Sequence, residues 1–196
     1  MKFLFDLGGV FFDWDPKFFL KNIFTNEEEL DYFIENICND NWNLKQDKGR
    51  SIIEGEKDLI EKFPEYEDKI KIYYPNHRKM FKNIFQESVD ILLKLKHQKY
   101  LCYVLSNWSS ETFIGMKDDY DFLNKFDGMI ISGEEKLVKP DEEIYKLAIK
   151  RFSLIPEETI FIDDRIENIN SAKLLDFKTI HLTDPKKIKE KIEKLI

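Results

Sequence analysis

Four short stretches of this chain carry side chains able to do chemistry together. Asp6 follows the apolar run F-L-F and precedes Gly8 and Gly9, and Ser106 and Asn107 follow Y-L-C-Y-V-L. Lys139 lies in V-K-P-D, and Asp163 and Asp164 close the run T-I-F-I. A carboxylate can attack phosphorus and form an aspartyl-phosphate. A hydroxyl and loop N–H groups can hold phosphate oxygens while a lysine offsets their charge. Several carboxylates brought together repel one another unless a cation joins them, and hard oxygen donors suit Mg²⁺. Singly, each residue has an ordinary reading. Asp6 could serve a turn, Ser106 a strand end and the Asp163-Asp164 pair a helix cap, and Lys139 is one of 31 basic residues. Their order and their shared place after apolar runs raise them as a set.

Such a set converges only if those runs are strands ending along one edge. Residues 2–5, 100–105, 129–132, 159–162 and 177–182 read as five strands, the first short enough to be buried on both faces. Amphipathic helices separate them. Val89, Leu92 and Leu93 mark one, Ile144, Leu147, Ala148 and Phe152 a second, and Ile166, Ile169, Ala172 and Leu175 a third. Pro185 opens a Lys/Glu-rich terminal helix. Alternating strands and helices predict an α/β fold: a Rossmann-like parallel sheet with helices on both faces. Right-handed crossovers would bring the carboxyl ends of the strands to one edge, where open sheets place their ligands.

Between the first two strands, roughly residues 14–84 show no convincing strand and read as a helical insertion. Pro16 suits a first helical turn, and Thr25 with Glu28 forms a T-x-x-E capping box for a helix to about Cys38. Residues 39–50 read as polar and turn-rich. Further helices are expected over residues 51–62, 66–74 and 76–82. The expected division is a core of residues 1–13 and 86–196 with a small cap of residues 14–85.

The chain has 196 residues, 42% of them apolar and 17 of them Phe, enough for one sizeable core with an insertion. A net charge of −7 argues against nucleic acid as a partner. The two cysteines, Cys38 and Cys102, have no metal-ligand spacing and imply no disulfide framework. No apolar run approaches the ~20 residues of a membrane span, and the opening run is too short for a signal sequence. A soluble, cytoplasmic protein with no membrane partner is expected. Trp14 and Trp42 read as packing residues, Arg50 as either a solvated helix start or a reach toward a substrate's polar group, and the three histidines receive no role.

In order and placement, Asp6, Ser106, Lys139 and Asp163-Asp164 resemble the four motifs of the haloacid dehalogenase-like superfamily, and the helical insertion resembles its small cap. The blocks D-L-G-G-V, D-W-D-P, W-N-L-K-Q-D-K-G-R, S-N-W-S-S-E-T-F and F-I-D-D-x-x-x-N are similar to a bacterial phosphatase branch that includes enzymes acting on glucose 1-phosphate. The resemblance implies a Mg²⁺-dependent phosphatase acting on a small phosphorylated metabolite such as a sugar phosphate. It makes Asp6 the nucleophile and a metal ligand, with Gly8 binding the metal through its carbonyl. Ser106 and Asn107 would hold the phosphoryl group and Lys139 would neutralise it. Asp164 would ligate the metal directly, with Asp163 acting through water or orienting Lys139.

One position departs from the pattern. Most phosphatases of the superfamily carry a second Asp two residues after the nucleophile, as general acid and base, and here that position is Gly8. Three consequences stay open: an enzyme that recruits another acid such as Asp13 or Asp15 or favours a good leaving group such as an anomeric phosphate, a metal-independent dehalogenase whose departing halide needs no proton, or a catalytically weak phosphometabolite-binding protein. A smaller departure is Asp176, where the family usually has Gly; Asp tolerates the left-handed conformation. Substrate identity and oligomeric state are not legible in the sequence.

Overall fold

A computed structural model describes residues 1–195. Five parallel strands form the main sheet in the order β5-β4-β1-β6-β7. They are β1 (Lys2–Phe5), β4 (Leu101–Ser106), β5 (Gly128–Ile131), β6 (Thr159–Asp163) and β7 (Lys178–His181). The first strand is therefore central. The chain leaves it toward β4 on one side and later returns to β6 on the other, the switch that opens a crevice at the strand ends. Phe5 is in register with Val104 and with Ile162. The next residue, Asp6, leaves the sheet beside Asp163 and just short of Ser106.

Side chains alternate across the sheet as its pleat requires. Phe3 and Phe5 join one buried cluster, with Val104, Ile162 and Leu92 and Leu95 of the helix Gln86–His97. Leu4 faces the opposite cluster, with Leu105, Phe161, Ile144 and Ala148. Phe5 is fully buried, and truncating such a ring typically costs about 3–5 kcal/mol. The two-faced burial explains why the strands read as unbroken apolar runs. Cys38 and Cys102 are both buried free thiols. Asp176 adopts φ 63°, as its place after the helix Ile166–Leu174 suggested.

The segment between β1 and β4 has its own apolar cluster, built on Leu20, Phe33, Trp42, Leu59, Ile70 and Tyr73. It is mostly helical, but the expectation of no strand fails. β2 (Phe12–Trp14) pairs antiparallel with β3 (Phe81–Ile84), forming a two-stranded ribbon at the neck of the insertion. The helix expected over residues 76–82 is instead a 3-10 stretch, Tyr74–Met80, running into β3. Residues 39–50 are not irregular either. Asp40–Asp47 is a helix, capped by Asn39, whose side chain accepts from the Trp42 N–H at 2.9 Å. Asn26, not Thr25, caps the helix Glu27–Tyr32 by accepting from the N–H groups of Glu28 and Glu29. The capping box lies further on, where Ser51 and Glu54 bond reciprocally at the start of Ile52–Lys62. Ile166, expected on a buried face, is 48% exposed. Among the described residues no helix is long and apolar enough to cross a membrane.

Candidate active site

The strand ends bring Asp6, Ser106, Lys139 and Asp163 into one hydrogen-bonded group. Asp6 Oδ1 accepts from the Leu7 N–H at 2.7 Å and from Ser106 Oγ at 2.7 Å, and lies 2.9 Å from Lys139 Nζ. Among the described residues its other oxygen, Oδ2, takes no donor, so the carboxylate is gripped on one side and free on the other. Lys139 Nζ donates to Asp163 Oδ2 at 2.7 Å as well. Asp163 is fully buried, and both its oxygens are engaged. Oδ1 accepts from the Arg165 N–H at 2.8 Å and from Asn168 Nδ2 at 3.0 Å. A buried charge survives only when paired and hydrogen-bonded, and Asp163 is both.

Burial pushes the Asp6 carboxyl up, Lys139 pulls it back and Asp163 raises it further. Burial works to lower Lys139, but Asp163 and Asp6 outweigh it and hold the amine above its ordinary value. The lysine is therefore a fixed cation between two carboxylates.

Asp164 behaves differently from its neighbour. Its carboxylate has no side-chain partner among the described residues, and burial, with the charges of Asp6 and Asp163, pushes it up. Oxygens of Asp6, Asp163 and Asp164 lie within 4.8 Å of one another. Three carboxylates against one ammonium leave an excess of negative charge at the site. That donor set fits a hard divalent cation. Gly9 is shaped to the same purpose: a Cβ there would lie 2.3 Å from an Asp164 oxygen, and its φ is 65°. Gly8 is the opposite, since an added Cβ would meet nothing within 4 Å.

Asn107 lines the cavity, but its amide is spent on positioning Lys139. Nδ2 donates to the Lys139 carbonyl and Oδ1 accepts from the Lys139 N–H, both at 2.8 Å. Neither Asp13 nor Asp15 is among the residues that line the cavity. Asp15 instead accepts from the Lys17 N–H at 2.8 Å, turning the chain into its first helix.

Above the strand ends lies a cavity of about 280 Å³. Its floor is Asp6, Gly8, Gly9, Lys139 and Asp164, and Asp40, Asn43, Leu44 and Asp47 of the inserted segment contribute to its walls. Trp14, His77, Phe81 and Trp108 form an aromatic side, with Phe81 and Trp108 stacked at 5.5 Å and His77 5.2 Å from Phe81. Trp14 packs against the apolar cluster of the insertion, as expected, and also lines the cavity, whereas Trp42 is buried and donates from Nε1 to the Gly55 carbonyl at 3.0 Å. Arg50 stays within the insertion, bonded to Gln46 and Asp58. Sequence reasoning missed Asp47 and His77, whose signals are single letters inside polar or aromatic stretches. Asn168 stood in the quoted D-D-x-x-x-N block without a role.

A five-stranded parallel sheet, an acidic end to its central strand and an inserted segment over that edge define an α/β fold with a carboxylate-lined site at the strand ends. Residues 4–182 match the family model of haloacid dehalogenase-like hydrolases, and the chain belongs to that family. It is similar to a phosphorylated carbohydrates phosphatase of Thermotoga maritima, 21% identical over 91% of this chain and 82% of the relative. A sesquiterpene phosphatase of Aspergillus oryzae is 33% identical over 48% of each chain. The chain spans about half or less of the length of several curated relatives it matches. Among solved structures, a family enzyme from Bacteroides thetaiotaomicron in complex with magnesium and inorganic phosphate superposes with a TM-score of 0.69. It is 28% identical, over 91% of this chain and 92% of that one.

Proposed function

We propose that this chain is a Mg²⁺-dependent phosphomonoesterase acting on a small phosphorylated metabolite, a sugar phosphate in class, through an aspartyl-phosphate on Asp6. The observation that carries the reading is the asymmetry of the Asp6 carboxylate. Oδ1 is held by three donors while Oδ2 is free, at the floor of a cavity that also holds a charged lysine. The relatives named as phosphatases and the magnesium and phosphate bound by the Bacteroides enzyme support it.

In this reading Asp6, Asp164 and the Gly8 carbonyl hold the cation, and Asp163, with both oxygens already engaged, orients Lys139. The cation offsets the charge that the carboxylates and the phosphoryl group would otherwise leave unbalanced. Lys139 neutralises phosphoryl oxygens, and Ser106, freed from Asp6, donates to one of them. Asn107 fixes Lys139 and contributes to the phosphoryl pocket. Residues 14–85 act as a cap that excludes bulk water and selects the substrate. The volume, just under the ~300–1,000 Å³ usual for drug-sized ligands, suits a monosaccharide-sized group. Aromatic faces and the polar side chains of Asp40 and Asn43 lining one cavity suit a polyhydroxylated one.

Phosphate release from a panel of sugar and polyol phosphates is expected with Mg²⁺ and not in chelator. Asp6→Asn should lower it by about 10⁴-fold or more. Turnover that survives Asp6→Asn, or halide release from 2-haloacids in chelator, would contradict the reading.

A further inference from the structure

Gly8 leaves phosphoryl transfer one group short, because the loop after the nucleophile offers nothing to protonate the departing oxygen. General acid help is typically worth ~10²–10⁴-fold for a poor leaving group such as an alkoxide. The titratable side chains around the cavity are Asp6, Asp40, Asp47, His77, Lys139, Asp164 and Arg165. Asp6 is the nucleophile and Asp164 is committed to the cation. Lys139 is locked as a cation between two carboxylates, and a guanidinium does not give up its proton. Asp40 is exposed and paired with Arg165. Burial, with Arg78 beside it, pushes the His77 imidazole down to about 3, so it is neutral, and its one remaining ring N–H is too weak an acid to protonate the leaving oxygen. Asp47 remains.

Its placement is built. Asp47 ends the helix Asp40–Asp47, and the core fixes it directly: Ser132 Oγ donates to its carbonyl at 2.6 Å, and the Ser109 N–H faces its carboxylate. Ser132 Oγ in turn accepts from the Trp108 N–H at 2.9 Å. The next residue, Lys48, reaches Asp141 at 3.0 Å. Gly49, at φ 94°, lies so close to the core that a Cβ would sit 3.1 Å from the Gly133 carbonyl. These contacts tie the end of the helix to the loops after β4 and β5, and Ser106 ends β4. Asn43 Nδ2 stands 3.4 Å from Oδ2, a weak contact that leaves the carboxyl with spare capacity toward the cavity. Burial raises this carboxyl to about 7; the Ser109 N–H and Arg165 oppose the rise, and Asp6 and Asp40 add to it.

We infer that Asp47, carried by the inserted segment and not by the nucleophile's own loop, is the general acid and base of the reaction, an inference that rests on the phosphatase reading. As an Asp6 oxygen bonds to phosphorus, the bond from phosphorus to the ester oxygen breaks. The Asp47 proton passes to that oxygen, which leaves as a neutral alcohol. In the second half the Asp47 carboxylate takes a proton from water. The water oxygen bonds to phosphorus as the bond to Asp6 breaks, inorganic phosphate departs, and both side chains return to their starting states. Asp47 reaches the cavity because the end of its helix is fixed to the core by Ser132 and by the Lys48–Asp141 pair.

The test compares Asp47→Asn with the parent on two esters, the best alkyl phosphate of the panel and p-nitrophenyl phosphate, whose phenolate leaves without needing a proton. Because kcat/KM covers only the steps through formation of the phosphoenzyme, it isolates the acid role. The expected result is a fall of ~10²–10⁴-fold in kcat/KM for the alkyl ester and less than about tenfold for the aryl ester, with a burst of nitrophenol as the phosphoenzyme accumulates. Asp47→Ala, which removes the acid by a second route, must show the same split. No loss on the alkyl ester, or equal losses on both esters by a variant with an unchanged unfolding midpoint, overturns the inference and leaves the phosphatase reading standing. A parent protein that turns over neither ester brings down both.

Discussion

The two walls of the cavity are built on opposite rules. On the core side the groups that hold Lys139 are saturated: Asp6 Oδ1 has three donors, Asp163 has both oxygens engaged, and Asn107 spends its amide on the Lys139 main chain. On the aromatic side, Trp14 Nε1, His77 Nδ1 and Trp108 Nε1 are buried and lack hydrogen-bond partners among the described residues. Leaving a buried donor unmade typically costs ~1–3 kcal/mol, so the two indole N–H groups are the ones the hydroxyls of the proposed sugar-phosphate substrate would satisfy. Saturation fixes geometry for chemistry, while spare capacity serves recognition. Asp47 joins the two, since it belongs to the insertion but is anchored by core residues.

The largest effect expected from breaking this contrast is at Lys139. Lys139→Ala leaves Asp6 and Asp163 without their shared cation, and removing one partner of a buried ion pair typically costs ~3–5 kcal/mol. Urea unfolding in chelator should show that loss; an unchanged midpoint would mean the core wall is not held by this pairing. A smaller effect belongs to the aromatic side. Trp14→Phe keeps a ring and removes the indole N–H. It should lower kcat/KM for the best sugar phosphate about tenfold and leave acetyl phosphate, which has no hydroxyls to recognise, within about twofold. Equal losses on both would make Trp14 structural.

The smallest effect is on pH dependence. His77 is held neutral, its imidazole pushed down to about 3, against an ordinary value near 6.5. The unfolded chain therefore binds a proton that the folded one does not, and the stability tied to a neutral His77 is lost as pH falls through 6.5. Relative to His77→Gln, the parent should lose stability as pH falls below about 6.5, at roughly 1 kcal/mol per pH unit. Parallel curves for the two proteins would show that His77 is not desolvated under the cap.

The same contrast governs what could be read from the sequence. The core wall was legible because its residues sit at the ends of strands buried on both faces, and such strands announce themselves as unbroken apolar runs. The cap wall was not. The helix Asp40–Asp47 buries only Trp42 and Gln46, so its sequence, D-N-W-N-L-K-Q-D, carries no apolar stripe and read as turn. Strand β3 is visible only through its pairing with β2, in which Asn83 meets Asp13 some seventy residues earlier, a contact that local periodicity cannot report. The backbone demands of Gly8 and Gly9 could not be told apart in sequence. In the fold one faces open space and the other is pressed against the Asp164 carboxylate.

The central claim is that Asp6 carries the phosphoryl group. Asp47→Asn mixed with p-nitrophenyl phosphate and Mg²⁺, quenched in acid and trapped with borohydride, should yield modification at Asp6 in the N-terminal peptide. That modification should be absent in chelator and absent when Asp6→Asn is added. Label on any other residue, or steady phosphate release with no trapped Asp6 at any time, would contradict the account.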